Sequence, residues 1–161
     1  MTVHRALWLP LIVLLLVPSV SAAQEAAKPK TLYERLGGYD VIARIVDDFG
    51  PKLGKDPDIG PLVASLSMTS RMRNRQLIVD QLCQMTGGPC LYIGRTMQAS
   101  HQGLGITEQH WEKAGKLMAE TLDSMKIAEP EKTEFLKLVD TLRPDIVEKK
   151  KEAAAAPATA Q

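Results

Sequence analysis

Apolar residues along this chain recur at intervals of three and four, and nowhere for long at intervals of two. Ile42, Ile45, Val46, Phe49 and Leu53 form one stripe, and Ile78, Leu82 and Met85 a second. Trp111, Ala114, Met118, Leu122 and Met125 make a third, and Phe135, Leu138, Val139, Leu142 and Ile146 a fourth. Spacing of this kind puts each set on one face of an amphipathic helix, so the pattern predicts four principal helices packed on one another. The residues between the stripes agree. Gly37-Gly38 closes a short first helix over residues 31–36, Gly87-Gly88-Pro89 closes the Ile78 helix, and Thr107 caps the Trp111 helix. Pro130, preceded by Glu129, opens the last helix where its missing N–H costs nothing. Pro51 and Pro144 fall inside the first and last stripes, and each is expected to bend or end its helix early.

The two ends of the chain follow different rules. Arg5, the apolar run from Ala6 to Val17, Pro18 and the small residues Val20-Ser21-Ala22-Ala23 have the layout of a secretory signal peptide, too short for a comfortable membrane span. Residues 1–23 are therefore expected to direct export to the periplasm or outside the cell and then to be removed. Residues 24–30 and 149–161 are charged or rich in Ala and Pro, a composition that buries too little apolar surface to stay ordered. A single domain over residues 31–148 is left.

With the leader gone, the twenty basic residues lose Arg5 and balance the nineteen acidic ones. No basic field remains to attract nucleic acid, and no stable membrane span is expected. The glycine-rich spots end helices instead of cradling phosphate, so neither a flavin nor a nicotinamide site is indicated.

Cys83 and Cys90, the only two cysteines, flank the Gly87-Gly88-Pro89 turn. A disulfide after export and a pair of buried thiols both fit the spacing. Zinc is disfavoured, because the intervals between these cysteines and between His101 and His110 match none of the usual ligand spacings. No Cys-x-x-Cys-His is present, which excludes c-type haem attachment.

His101 lies in "GRTMQASHQGLGI", with Met97 one turn before it and Leu104 and Ile106 after it, so the imidazole shares a face with apolar groups in an otherwise polar segment. Gly103 and Gly105 let the backbone turn away from, or closely approach, something flat. Arg95 is near enough to offer charge to an acidic group at the rim of the same site.

Read together, "TLYERLGG" (Thr31 to Gly38), "VDDF" (Val46 to Phe49), "DPDI" (Asp56 to Ile59), "VDQLCQMTGGPCLYIGRTM" (Val79 to Met97), "SHQGLGIT" (Ser100 to Thr107) and "HW" (His110, Trp111) resemble the group 1 truncated haemoglobins, in order and over most of the folded chain. The run from "TGGPC" through His101 to Ile106 is the specific part. This resemblance implies an all-α truncated globin, a two-over-two helical sandwich around a non-covalently held haem b, with His101 as the proximal iron ligand and its second ring nitrogen held by a backbone carbonyl. It further implies that Phe49 walls the distal side and that Tyr92 and Arg95 stand at the haem edge, where the cation pairs with a propionate. Met97, Leu104, Ile106 and Trp111 line the pocket, and Met118 is expected in the ordinary core. His110, among Glu108, Gln109 and Glu112, is read as a surface residue. Covalent haem attachment through a histidine of the last helix, seen in some family members, is not expected, since no histidine occurs there.

One departure from the family pattern concerns the distal side. The family usually places Tyr after the Phe of the second helix, whereas here Gly50 follows Phe49. On the distal helix Asn74, Ile78 and Gln81 share a face, with isoleucine where a glutamine or histidine is usual. A site without these donors holds dioxygen less firmly. The expected function is binding of dioxygen or another diatomic gas, O2, NO or CO. The alternatives are a haem enzyme, dioxygenating nitric oxide or turning over peroxide with a reductase supplied from elsewhere, and a haem-free helical interaction module.

Overall fold

The computed structural model describes residues 28–148 apart from Ser65; the expected leader and the tail from residue 149 lie outside them. Eight helices follow in order: α1 (Leu32–Leu36), α2 (Tyr39–Lys55), α3 (Gly60–Ala64), α4 (Met68–Met85), α5 (Met97–His101), α6 (Glu108–Ser124), α7 (Glu129–Asp140) and α8 (Arg143–Ile146). The four long ones are the four expected from the apolar stripes. Among the described residues no helix is long and apolar enough to cross a membrane.

Local chemistry explains where these helices start and stop. Thr31 and Glu34 form a reciprocal capping box on α1, and Gly37, in the left-handed region, ends it. Ser67, Thr96 and Thr107 cap α4, α5 and α6 through their hydroxyl oxygens. Pro130 sits in the first turn of α7. Pro144 breaks the fourth stripe as expected: α7 ends at Asp140, and α8 is a separate single turn with the proline near its start. Pro51 does not end its helix. The helix α2 runs through it to Lys55, where Asp56 takes over and accepts the N–H groups of Asp58 and Ile59 at 2.9 and 3.0 Å. Pro51 has no N–H for the carbonyl one turn earlier, and it lies on an exposed face.

Two helix pairs build the core. The first is α2 with α4, the second α6 with α7, and α2 joins them by packing on α6 as well as on α4. Ile42, Ile45 and Val46 of α2 meet Val79, Leu82 and Cys83 of α4 and Met118 and Leu122 of α6, with the Phe135 ring of α7 fully buried. Met118 is thus in the core, as expected. The buried face of α4 differs from the predicted one. It runs through Val79, Leu82 and Cys83, and Ile78, expected on the apolar stripe with Leu82, is 44% exposed. Both isoleucine and valine satisfy the spacing, so only the packing partner selects between them.

Ion pairs orient the layers at their rims. Arg75 of α4 grips Asp47 of α2 with two N–H groups at 2.7 and 2.8 Å, and this bonding holds the Asp47 carboxyl below its ordinary pKa. Arg35 of α1 pairs with Glu131 and Glu134 of α7, and Arg143 of α8 with Glu108 of α6. Exposed pairs of this kind stabilise little individually.

Cys83 and Cys90 are joined, which decides the question the spacing left open. The bond ties the buried end of α4 to the extended segment that leads to α5. A ring this short stabilises by about 2–3 kcal/mol through the entropy it removes from the unfolded chain. Thiol titration of the unreduced, denatured protein is expected to find no free thiol, and the Cys83→Ser, Cys90→Ser double variant is expected to lose stability of that order in urea denaturation. Two free thiols would contradict the pairing.

Candidate functional site

The segment from Gly88 to Ile106 carries most of the residues singled out by sequence, and it is held by polar contacts more than by burial. Helix α5 has only five residues and buries none of them. Before it, the Tyr92 N–H donates to Gln84 Oε1 of α4 at 2.6 Å, and the Tyr92 hydroxyl donates to the Arg95 carbonyl at 2.6 Å. The tyrosine ring lies across Gly94 so closely that any Cβ there would overlap it. Tyr92 therefore shapes the turn that presents Arg95. The Arg95 side chain is exposed and takes part in none of the ion pairs among the described residues.

His101 ends α5, half-buried. Its Nδ1 lies 2.8 Å from the Met97 carbonyl oxygen. A carbonyl only accepts, so Nδ1 carries the proton, and a neutral ring then has its lone pair on Nε2. That is the state in which imidazole binds a metal. Among the described residues no group of three or more His, Cys, Asp or Glu stands together.

Apolar side chains stand open around this segment. Leu104 is 41% exposed, like Ile78 on α4, and Met97 and Ile106 are half-buried. Phe49 of α2 packs against the core cluster, and Asn74 is exposed, one turn before Ile78. Two surface clefts, of about 490 and 400 Å³, are lined by other residues. Gly103 and Gly105 have φ of +84° and +67°, with nothing near where a Cβ would stand. Of the two roles open to them, the structure shows the sharp turn.

Two residues of α6 depart from the simple expectation. His110 is half-buried and not merely a surface group: its Nδ1 accepts the Thr107 N–H at 3.3 Å, completing a capping box in the place a glutamate usually fills. That nitrogen is spent on the helix start. Trp111, half-buried beside it, donates its indole N–H to Asp140 of α7 at 3.0 Å and so pins the second helix pair at the end nearest α5. Asp140 went unnoticed in the sequence, as did Glu148, whose carboxylate accepts from the loop after His101. Neither belongs to a spacing motif, and no local signal marks them.

This all-helical fold, with one imidazole poised on its short helix, is that of a globin: the chain belongs to the family of bacterial-like globins, which matches it over residues 31–148. Among the proteins it is similar to are the Group 1 truncated hemoglobin GlbN of Nostoc commune, 30% identical over 92 residues covering 57% of this chain and 75% of that one, and its counterpart from Mycolicibacterium paratuberculosis, 28% identical over 120 residues covering 74% and 86%. The crystal structure of truncated hemoglobin from Tetrahymena pyriformis in the Fe(III) form superposes with a TM-score of 0.69 at 25% identity, covering 74% of this chain and all of that one.

The indole bond gives a direct test of how the second helix pair is closed. Trp111→Phe keeps the apolar ring and removes the donor to the Asp140 carboxylate, and is expected to destabilise the protein by about 1–2 kcal/mol in urea denaturation. Asp140→Asn, which keeps an acceptor, should cost less. Equal stability of Trp111→Phe and wild type would show that the contact contributes nothing.

Proposed function

We propose that this chain is a haem-binding globin in which His101 is the proximal ligand of a non-covalent haem b and a diatomic gas binds on the opposite face. The observation that carries the reading is the bond from His101 Nδ1 to the Met97 carbonyl, which fixes the tautomer and leaves Nε2 as the donor atom. The residues nearby suit the group. Ile78 and Leu104, and in part Met97 and Ile106, offer apolar surface that the other described residues leave uncovered, and Arg95 has no carboxylate partner among the described residues and is suited to a propionate. When bound, haem would supply an iron able to take O2, NO or CO. The chain's own part is to orient one imidazole, exclude water with apolar side chains and anchor one acidic edge. Haem binding by the group 1 truncated globins, to which this chain is similar, supports the same reading.

Export belongs to the proposal as well. The leader expected at residues 1–23 would carry the protein out of the cytoplasm, and the Cys83–Cys90 bond is of a kind that persists in oxidising compartments.

Removing His101 takes away the one directional bond to iron and leaves the apolar surface in place. His101→Ala is expected to lower haem affinity and change the ferrous absorption spectrum, whereas His110→Ala is expected to alter neither. Haemin titration followed by dithionite and carbon monoxide reads both, and identical spectra for wild type and His101→Ala would overturn the assignment.

The distal side sets what the site holds well. Gly50 brings no hydroxyl, and Asn74 and Gln81 make no hydrogen bond to other described side chains. A missing donor to a buried, partly negative oxygen costs about 1–3 kcal/mol, or roughly five- to hundredfold in release rate. Fast oxygen dissociation is expected, with carbon monoxide release near normal. A Cβ on Gly50 would meet nothing within 4 Å, and Gly50→Tyr should slow oxygen release selectively if its hydroxyl reaches the bound gas. Stopped-flow kinetics decide it: slow oxygen release in the wild type, abolished by Asn74→Ala or Gln81→Ala, would place the donor on α4 instead.

A further inference from the structure

The loop after His101 closes on a residue 45 positions beyond Gly103. Glu148 Oε1 accepts the N–H of Gly103 at 2.6 Å and that of Gly105 at 3.1 Å, and the Glu148 N–H donates to the Ile106 carbonyl at 2.8 Å. Three hydrogen bonds thus join one side chain and its backbone to one four-residue loop. Both donor glycines adopt positive φ, which turns their N–H groups toward a single point, the geometry of a backbone anion nest. Here the anion is the chain's own carboxylate, and bonds to a charged acceptor are stronger than neutral ones.

The loop in turn continues directly from His101, whose carbonyl accepts the Leu104 N–H at 3.1 Å. Helix α5 buries none of its own residues, and its packing partner is α8, the turn that delivers Glu148. Apolar burial therefore does not place the His101 imidazole from within α5. Its place comes from the tie to Met97 on one side and from the Glu148 clamp on the other.

We infer that Glu148 is a positioning residue for the proximal histidine: its carboxylate holds residues 103–106 and so sets how the His101 ring meets the haem iron. The inference rests on the reading of His101 as the iron ligand. The capacity to hold the loop requires only an acceptor oxygen of the right reach. Glutamine retains one, aspartate is a methylene short of spanning both amides, and alanine has none.

The test is the iron–histidine stretching band of the ferrous, ligand-free holoprotein by resonance Raman, together with the rate of haem loss to apomyoglobin. Amide exchange at Gly103 and Gly105 in the diamagnetic ferrous carbonyl form provides a third readout. Glu148→Ala is expected to shift or broaden the band, to speed haem loss roughly fivefold or more, and to deprotect both amides. Glu148→Gln should restore the wild-type band position, with Glu148→Asp in between. If Glu148→Ala does not fold, the order wild type, Gln, Asp decides. A wild-type band and wild-type haem loss in Glu148→Ala or in Glu148→Asp, even with faster amide exchange, would overturn the inference and leave Glu148 a tie for the chain alone. His101→Ala separates the two readings. Persistence of the band there refutes the proximal assignment itself, whereas its loss there, with no change in the Glu148 variants, refutes only the role of Glu148.

Discussion

Burial of one helix on two sides organises this protein. Ile42 and Ile45 of α2 are fully enclosed, and they are enclosed because α4 packs on one flank of that helix and α6 on the other. At about 1.5–3 kcal/mol for each large aliphatic side chain taken from water, this shared face outweighs any of the rim ion pairs. It also sets the gap between the two helix pairs, since α4 and α6 are each positioned relative to α2. The short helices cannot define that spacing, for α3, α5 and α8 contribute almost nothing to the core.

The candidate site is built on the opposite principle. Between Gly88 and Ile106 the chain has little apolar burial of its own, and its shape comes from directed bonds: Cys90 to Cys83, Tyr92 to Gln84 and Arg95, Met97 to His101, and Glu148 to the two glycines. A segment with its own hydrophobic anchor would fill the space beside α4. This one leaves Ile78 and Leu104 open, which is what a protein needs if a flat apolar group is to complete its core. Small domains commonly draw part of their stability from a bound group in this way.

The same contrast separates the proximal from the distal side. On the side of His101 the imidazole Nδ1 is tied to the Met97 carbonyl and the loop that follows is tied to Glu148, so the tautomer of the ring is determined. On the side expected to be distal Gly50 carries no side chain and Ile78 no donor, and Asn74 and Gln81 make no side-chain hydrogen bond among the described residues. In the proposed haem site, an arrangement of this kind would give bound oxygen no fixed donor, and affinity would rest on the apolar walls and on the geometry of His101.

Sequence by itself determined the helices and their ends. The capping residues Thr31, Ser67, Thr96 and Thr107, the glycine stop at Gly37 and the apolar intervals are interactions within a turn or two of chain, so they are legible without a fold. His101 was legible for a similar reason, since Met97 lies one turn before it and the surrounding motif is contiguous. Tertiary structure decided the rest. Choosing Val79 over Ile78 for the core is a rotation of about 100°, one residue's step around a helix, and only the packing of α2 selects it. The disulfide, the Trp111–Asp140 bond and the Glu148 clamp depend on where separate segments meet in space. Spacing can allow such contacts, but only the path of the chain between the partners brings them within bonding distance.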